Sequence, residues 1–177
     1  TISDQVGNVY FSQGGSGDTI SVDWDGTGGG SRLPDGIYLY RLSAADLLGG
    51  SMDRTARVRI DTIAPSVGAA PAASFSPNGD GQADAWTGTY PASEPVTLTG
   101  TVVASDGRLV RHLSSTTAGG AASLTWNART DAGSGVADGP YVVTVTARDA
   151  AGNAAIPIAT SLTVFRPVSK IAASATV

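Results

Sequence analysis

The sequence predicts an all-β protein of the sandwich type. Three observations carry that prediction. Side chains are small: 88 of the 177 residues are Ala, Gly, Ser or Thr. Charge is sparse and lopsided, with 14 Asp against one Glu (Glu94), and 10 Arg against one Lys (Lys170). Glu and Lys fill exposed helix faces, whereas Asp and Gly favour turns. Finally, β-branched and aromatic residues alternate with polar ones over short runs, and Gly/Asp/Asn clusters punctuate the runs.

Taken along the chain, Tyr38, Tyr40 and Leu42 form the first clear alternating run. Ala44 to Leu48 hints at one helical turn. Asp61-Thr62-Ile63-Ala64-Pro65 reads as a joint, because Pro65 lacks a backbone donor and biases its predecessor towards extended backbone. Val96, Leu98, Gly100 and Val102 then alternate with Thr97, Thr99 and Thr101. Tyr141, Val143, Val145 and Ala147 alternate with Val142, Thr144, Thr146 and Arg148. Turns are expected at Ser105-Asp106-Gly107, Ala118-Gly119-Gly120, Asp131 to Gly135, and Ala151-Gly152-Asn153. Trp126 and Tyr141 are the expected large core residues, as are Trp24 and Tyr38 earlier in the chain.

The bulk numbers exclude several classes. With 41% hydrophobic residues and a net charge of −4, the chain is not expected to be disordered. It has no cysteine, hence no disulfide framework, thiolate metal site or Cys nucleophile. The low pI and the lack of a basic cluster argue against nucleic acid as a partner. Apolar runs such as Ala154 to Ala159 fall short of the ~20 residues that a membrane span needs. Thr1 is neither an initiator Met nor the start of a signal peptide, so the chain is expected to be a piece of something longer.

The strongest internal signal is a repeat. Trp24-Asp25-Gly26 matches Trp126-Asn127-Ala128, and Leu33-Pro34-Asp35-Gly36-Ile37-Tyr38 matches Val136-Ala137-Asp138-Gly139-Pro140-Tyr141. Asp46 and Gly49 match Asp149 and Gly152. The predicted organisation is a partial repeat over 1–64, a complete one over 65–166, and a joint with the first strand of a further repeat over 167–177. The first copy lacks the counterpart of roughly Val67 to Val103. A complete repeat of about 100 residues suits an immunoglobulin-like or fibronectin III-like sandwich. The fold expected is therefore tandem sandwiches, the first truncated at its N-terminus.

Phe75-Ser76-Pro77-Asn78-Gly79-Asp80-Gly81-Gln82-Ala83-Asp84 resembles the opening of FlgD-type immunoglobulin-like domains, named for the flagellar hook-capping protein. Asp106 to Arg111 resembles the hairpin of that family. Trp126-Asn127-Ala128 stands where the family has Trp-Asp-Gly, and Asp138-Gly139-Pro140-Tyr141 resembles its Asp-Gly-x-Tyr. The resemblance implies a module that recurs in tandem in large bacterial surface and secreted proteins.

Catalytic signatures fail one by one. His112 is the single histidine and sits in a predicted hairpin. Gly14-Gly15-Ser16-Gly17 is followed by Asp18, which breaks the nucleophile-elbow pattern. Gly26 to Gly30 lacks the spacing of a phosphate loop. Glu94 adjoins Pro95, and the Asp residues fall in turns, where they cap local backbone. Metal binding has more content. Asn78, Asp80, Gln82 and Asp84, preceded by Ser76, offer oxygen donors at alternate positions, with Gly81 for a sharp turn, in the manner of a calcium loop. The competing reading is an Asx/Gly turn that leads into the next strand.

These readings lead to a non-catalytic structural or interaction module of a larger bacterial protein, extracellular or on the cell surface, acting as a spacer, display or assembly domain. Its expected partners are other domains of the parent chain or neighbouring subunits. The alternatives are an accessory domain of a secreted hydrolase and a hook-capping scaffold. Ile171, Ala173, Ala175 and Val177 give the C-terminal tail a strand-like pattern, which suits strand exchange with a neighbour.

Overall fold

The computed structural model describes residues 1–17, 19 and 21–167. Among these residues every regular element is a strand. The chain divides into two compact units, Thr1–Thr62 and Ile63–Val177.

The second unit is a two-sheet sandwich. One sheet contains β7 (Ala73–Phe75), β9 (Thr97–Ala104), β10 (Leu109–Thr116), β12 (Gly139–Arg148) and β13 (Ile158–Val164), in the order β10-β9-β12-β13-β7. The other sheet pairs β8 (Trp86–Ala92) with β11 (Gly120–Trp126). All pairings are antiparallel except β13 with β7, which is parallel.

The period-2 patterns face as the sequence predicts. Leu98, Val102, Val143, Val145, Leu124 and Leu162 are buried, while Thr97, Thr99, Thr87 and Thr125 are exposed. Trp126 is the centre of the core. Its ring meets Tyr141 edge-on at 5.0 Å between centroids, and Phe75 at 5.6 Å. Trp86 and Tyr90 on β8 close the opposite wall.

In the first unit, β1 (Ile2–Ser3), β2 (Val9–Phe11), β5 (Gly36–Ala45) and β6 (Ser51–Ile60) form a sheet in the order β2-β1-β5-β6. A small hairpin joins β3 (Thr27–Gly28) to β4 (Ser31–Arg32). Ile2, Leu33 and Tyr38 are the buried core, packed by Phe11, Trp24, Val58 and Ile60.

Registers superimpose the two sheets. Tyr38 pairs with Val58 as Tyr141 pairs with Leu162, and Ile2 pairs with Tyr40 as Val102 pairs with Val143. Thus β1, β2, β5 and β6 stand for β9, β10, β12 and β13. The first unit has no counterpart of β7 or β8 among its described residues. Equivalent positions differ in burial accordingly. Val143 and Val145 are 0% and 1% exposed, whereas Tyr40 and Leu42 are 42% and 47% exposed.

The same hydrogen bonds hold both copies. Trp24 Nε1–H donates to Thr27 O at 2.7 Å, and Trp126 Nε1–H to Arg129 O at 2.9 Å. Tyr38 O–H donates to Pro34 O, and Tyr141 O–H to Ala137 O, at 2.8 and 2.7 Å. This i to i−4 bond matches the tyrosine corner of immunoglobulin-like sandwiches. Asp35 accepts the Thr62 N–H and Asp138 accepts the Arg166 N–H, which anchors the end of the last strand in each copy.

The helical turn expected at Ala44 to Leu48 does not form. Ala44 and Ala45 end β5, and Asp46 Oδ1 accepts the N–H groups of Leu48 and Gly50, each at 2.8 Å. A short Asp side chain offers the backbone a local partner in place of helical bonds. The strand-like tail, with Ile171, Ala173, Ala175 and Val177, lies outside the described residues.

Candidate functional site

The loop between β7 and β8 brings Asn78, Asp80 and Asp84 together, and its geometry is set by their side chains. Asp84 Oδ1 accepts the Gly79 N–H at 2.7 Å and its Oδ2 the Gly81 N–H at 2.8 Å. Asp80 Oδ1 accepts the Gln82 N–H at 2.8 Å, and Asn78 Nδ2–H donates to Asp80 Oδ2 at 2.9 Å. Asn78 Oδ1 in turn accepts the Asp80 N–H at 3.0 Å. Gln82 enters this network through its backbone, and it is exposed. All four carboxylate oxygens of the loop therefore accept hydrogen bonds from the loop itself. The bonds from Asn78 and then Gln82 hold the Asp80 carboxyl below its ordinary pKa. The Ser76 hydroxyl, buried at the head of the loop, has no hydrogen-bond partner among the described residues.

A shallow cleft beside the loop is lined in part by Pro77, Asp84, Asn127, Arg129 and Arg166. Its arginines are engaged locally. Arg129 donates to Gly133 O at 2.8 Å, and Arg166 pairs with Asp138 and donates to Pro77 O at 3.3 Å.

His112 lies on β10, an edge strand of the larger sheet. Its Nδ1 stands 2.7 Å from Asp131 Oδ2, and its N–H donates to Asp131 Oδ1 at 3.0 Å. The backbone bond and then the ring lower the Asp131 pKa. Both contacts tie β10 to the loop that follows β11.

One turn design recurs at strand ends. Asp4, Asp46 and Asp149 each accept the N–H groups of later turn residues, and a glycine three residues on closes the turn onto the Asp carbonyl. Gly152 has a φ of 94°, in the left-handed region that a residue with a Cβ avoids. At Asp149 burial raises the carboxyl pKa, but hydrogen bonds from Asn153, Ala151 and Gly152 outweigh it, and the net shift is downward. The sequence located these acids in turns. It did not reveal how completely their oxygens are committed.

Sandwich geometry, the tyrosine corner and the acidic loop define an immunoglobulin-like β-sandwich module. More particularly, the model of the FlgD Ig-like domain matches residues 72–151, and that segment is similar to FlgD-type immunoglobulin-like domains. No curated protein matches the chain significantly. Among solved structures, the fibronectin(III)-like modules of Clostridium thermocellum CbhA share 16% identity, with a TM-score of 0.45 over 85% of this chain and 71% of theirs. A tetra-tandem repeat in the extending region of a large adhesion protein shares 22%, with a TM-score of 0.44 over 93% of this chain and 40% of that one. Dimeric latent PorU from Porphyromonas gingivalis shares 18%, with a TM-score of 0.41 over 77% of this chain; the chain spans only 13% of PorU.

Proposed function

We propose that this chain is a non-catalytic structural segment of a larger bacterial surface or secreted protein, in which sandwich modules serve as spacers or assembly units. The observation that carries the reading is the use made of polar side chains. The carboxylates of the loop between β7 and β8, the His112–Asp131 pair and the Asp turns all hold backbone in place. The FlgD-type match over 72–151 supports a module of this kind. The alternatives, an accessory domain of a secreted hydrolase and a hook-capping scaffold, differ in what the parent gene encodes beside this segment. Protease shaving of intact source cells tests the reading: release of peptides from this segment supports it, and recovery only from the cytosol contradicts it.

The turn reading of the loop between β7 and β8 is favoured over calcium. An ion at Asn78, Asp80, Gln82 and Asp84 would compete with four N–H donors for the same two carboxylates. Calorimetric titration with calcium is expected to give no heat and no rise in Tm. Binding heat with a raised Tm would restore the metal reading.

A further inference from the structure

The second unit ties together the segments by which the chain enters and leaves it. In a series of modules, tension reaches this one at Pro65 and at Arg166. The first tie after Pro65 is to the end of β8. Val67 bridges Ala92 in antiparallel fashion, Ser93 N–H donates to Ser66 O at 3.0 Å, and Gly68 N–H donates to Pro91 O at 2.8 Å. The chain then passes to the larger sheet. Ala70 is buried, and its carbonyl accepts the Thr160 hydroxyl at 3.4 Å. There β7 lies parallel to β13, with Ala73 opposite Leu162, Ser74 opposite Thr163 and Phe75 opposite Val164.

The exit is tied to the same place. Phe165 N–H donates to Phe75 O at 3.2 Å, and Arg166 Nε–H to Pro77 O at 3.3 Å. The Arg166 guanidinium and backbone N–H both hold Asp138, which precedes β12. Phe75 is buried edge-on against Trp126, so β7 cannot slide without drawing that ring out of the core. Direction decides how such bonds fail. β7 and β13 run the same way, so pulling the start of one against the end of the other slides them lengthwise. Their evenly spaced cross-strand bonds are then strained together. In the antiparallel hairpin of β9 and β10, Thr97 and Thr116 stand opposite each other at the open end. Pulling that end apart opens the ladder one bond at a time, which takes less force.

We propose that the parallel pair of β7 and β13, with the ties at Ser66, Gly68 and Arg166, is a tension clamp that keeps this module folded when the parent protein is pulled lengthwise. The clamp rests on the spacer reading for its use, since only a module in series is pulled, but its existence is a property of residues 65–166. Protease shaving tests where the segment is displayed and force measurement tests the clamp, so either can fail without the other.

Optical-tweezers unfolding of the full chain tests it, with handles on engineered cysteine pairs in this cysteine-free sequence. Ala64→Cys with Pro167→Cys pulls along the clamp, and Pro95→Cys with Ala118→Cys pulls across the open end of the hairpin of β9 and β10; all four positions are exposed. Unfolding along the clamp is expected at about twice the force of unfolding across the hairpin, or more, because forced unfolding follows the barrier along the pulled direction. Phe75→Leu and Arg166→Ala are each expected to lower the force along the clamp, and Arg166→Ala keeps the test open should Phe75→Leu fail to fold. Leu113→Ala, on the edge strand β10, is expected to lower Tm and to leave that force unchanged. Equal forces in the two directions, no loss of force in Arg166→Ala, or the same loss in Leu113→Ala as in Arg166→Ala would each overturn the proposal.

Discussion

At the scale of single residues, two alanines adopt the left-handed backbone that favours glycine. Ala83 has a φ of 50° and Ala128 a φ of 55°. Ala128 occupies the place of Gly26 in the first copy, and its methyl is buried beside Trp126, so burial offsets the strain. Ala83 is exposed and has no such compensation. Ala83→Gly is therefore expected to stabilise the second unit by about 0.5–1 kcal/mol in urea melts, because it relieves a conformation that L-residues resist. Gly88 shows the opposite constraint. A Cβ there would stand 2.2 Å from Trp86 Cζ2, since the indole lies over the glycine. Gly88→Ala is expected to cost about 1–3 kcal/mol by the same measurement, through overpacking.

The acids of the turns make a prediction about pH at the same scale. Asp80, Asp131 and Asp149 have pKa values below the ordinary one in the folded state. Their stabilising contribution is complete above the unfolded value of roughly 4 and is lost as pH falls through the folded values. A thermal melting series should therefore show Tm flat from neutral pH down to about 5, then falling below about 4. Replacing Asp149 with Asn should flatten that acid limb.

At the scale of elements, strands were legible where period 2 combined with β-branched residues, as in β9 and β12. The Trp24/Trp126 and Tyr38/Tyr141 register was legible because these rare residues recur in both copies. The β8 wall was not legible. Trp86-Thr87-Gly88-Thr89-Tyr90-Pro91 has a glycine at its central inward position and a proline inside the strand. The Trp86 ring fills the space over Gly88, and Pro91 uses its carbonyl to accept the Gly68 N–H at 2.8 Å. The parallel β7 was hidden for a related reason, since its three residues lie in an Ala/Pro-rich stretch without alternation. The loop of Asn78, Asp80 and Asp84 was legible as a constellation of oxygens. That its oxygens serve backbone N–H groups depends on loop geometry, which spacing alone does not define.

The first copy shows that a strand needs a partner. Residues 120–126 form β11 by pairing with β8. In the first copy, the stretch leading to Trp24 pairs with no strand among the described residues. Ser21, Val22 and Asp23 are not in a strand there, and Val22 is 43% exposed where Leu124 is 1% exposed. Similar sequence thus stands in a strand where a cross-strand partner is present and outside one where none is described.

At the scale of the whole molecule, the sheet β2-β1-β5-β6 of the first unit repeats the order and register of β10-β9-β12-β13 in the second. Each has the central antiparallel pair, the Trp indole bond and the tyrosine corner, and among the described residues the second unit buries the equivalent strand positions more deeply. Burial should translate into a difference in local stability within one chain. Residue-resolved amide hydrogen exchange compares the equivalent strands β5 and β12 directly, in the same sample. The account predicts that Val143 and Val145 exchange slower than Tyr40 and Leu42 by at least a hundredfold. Equal protection of the two pairs would contradict the claim that the difference in burial between these equivalent strands sets their local stability.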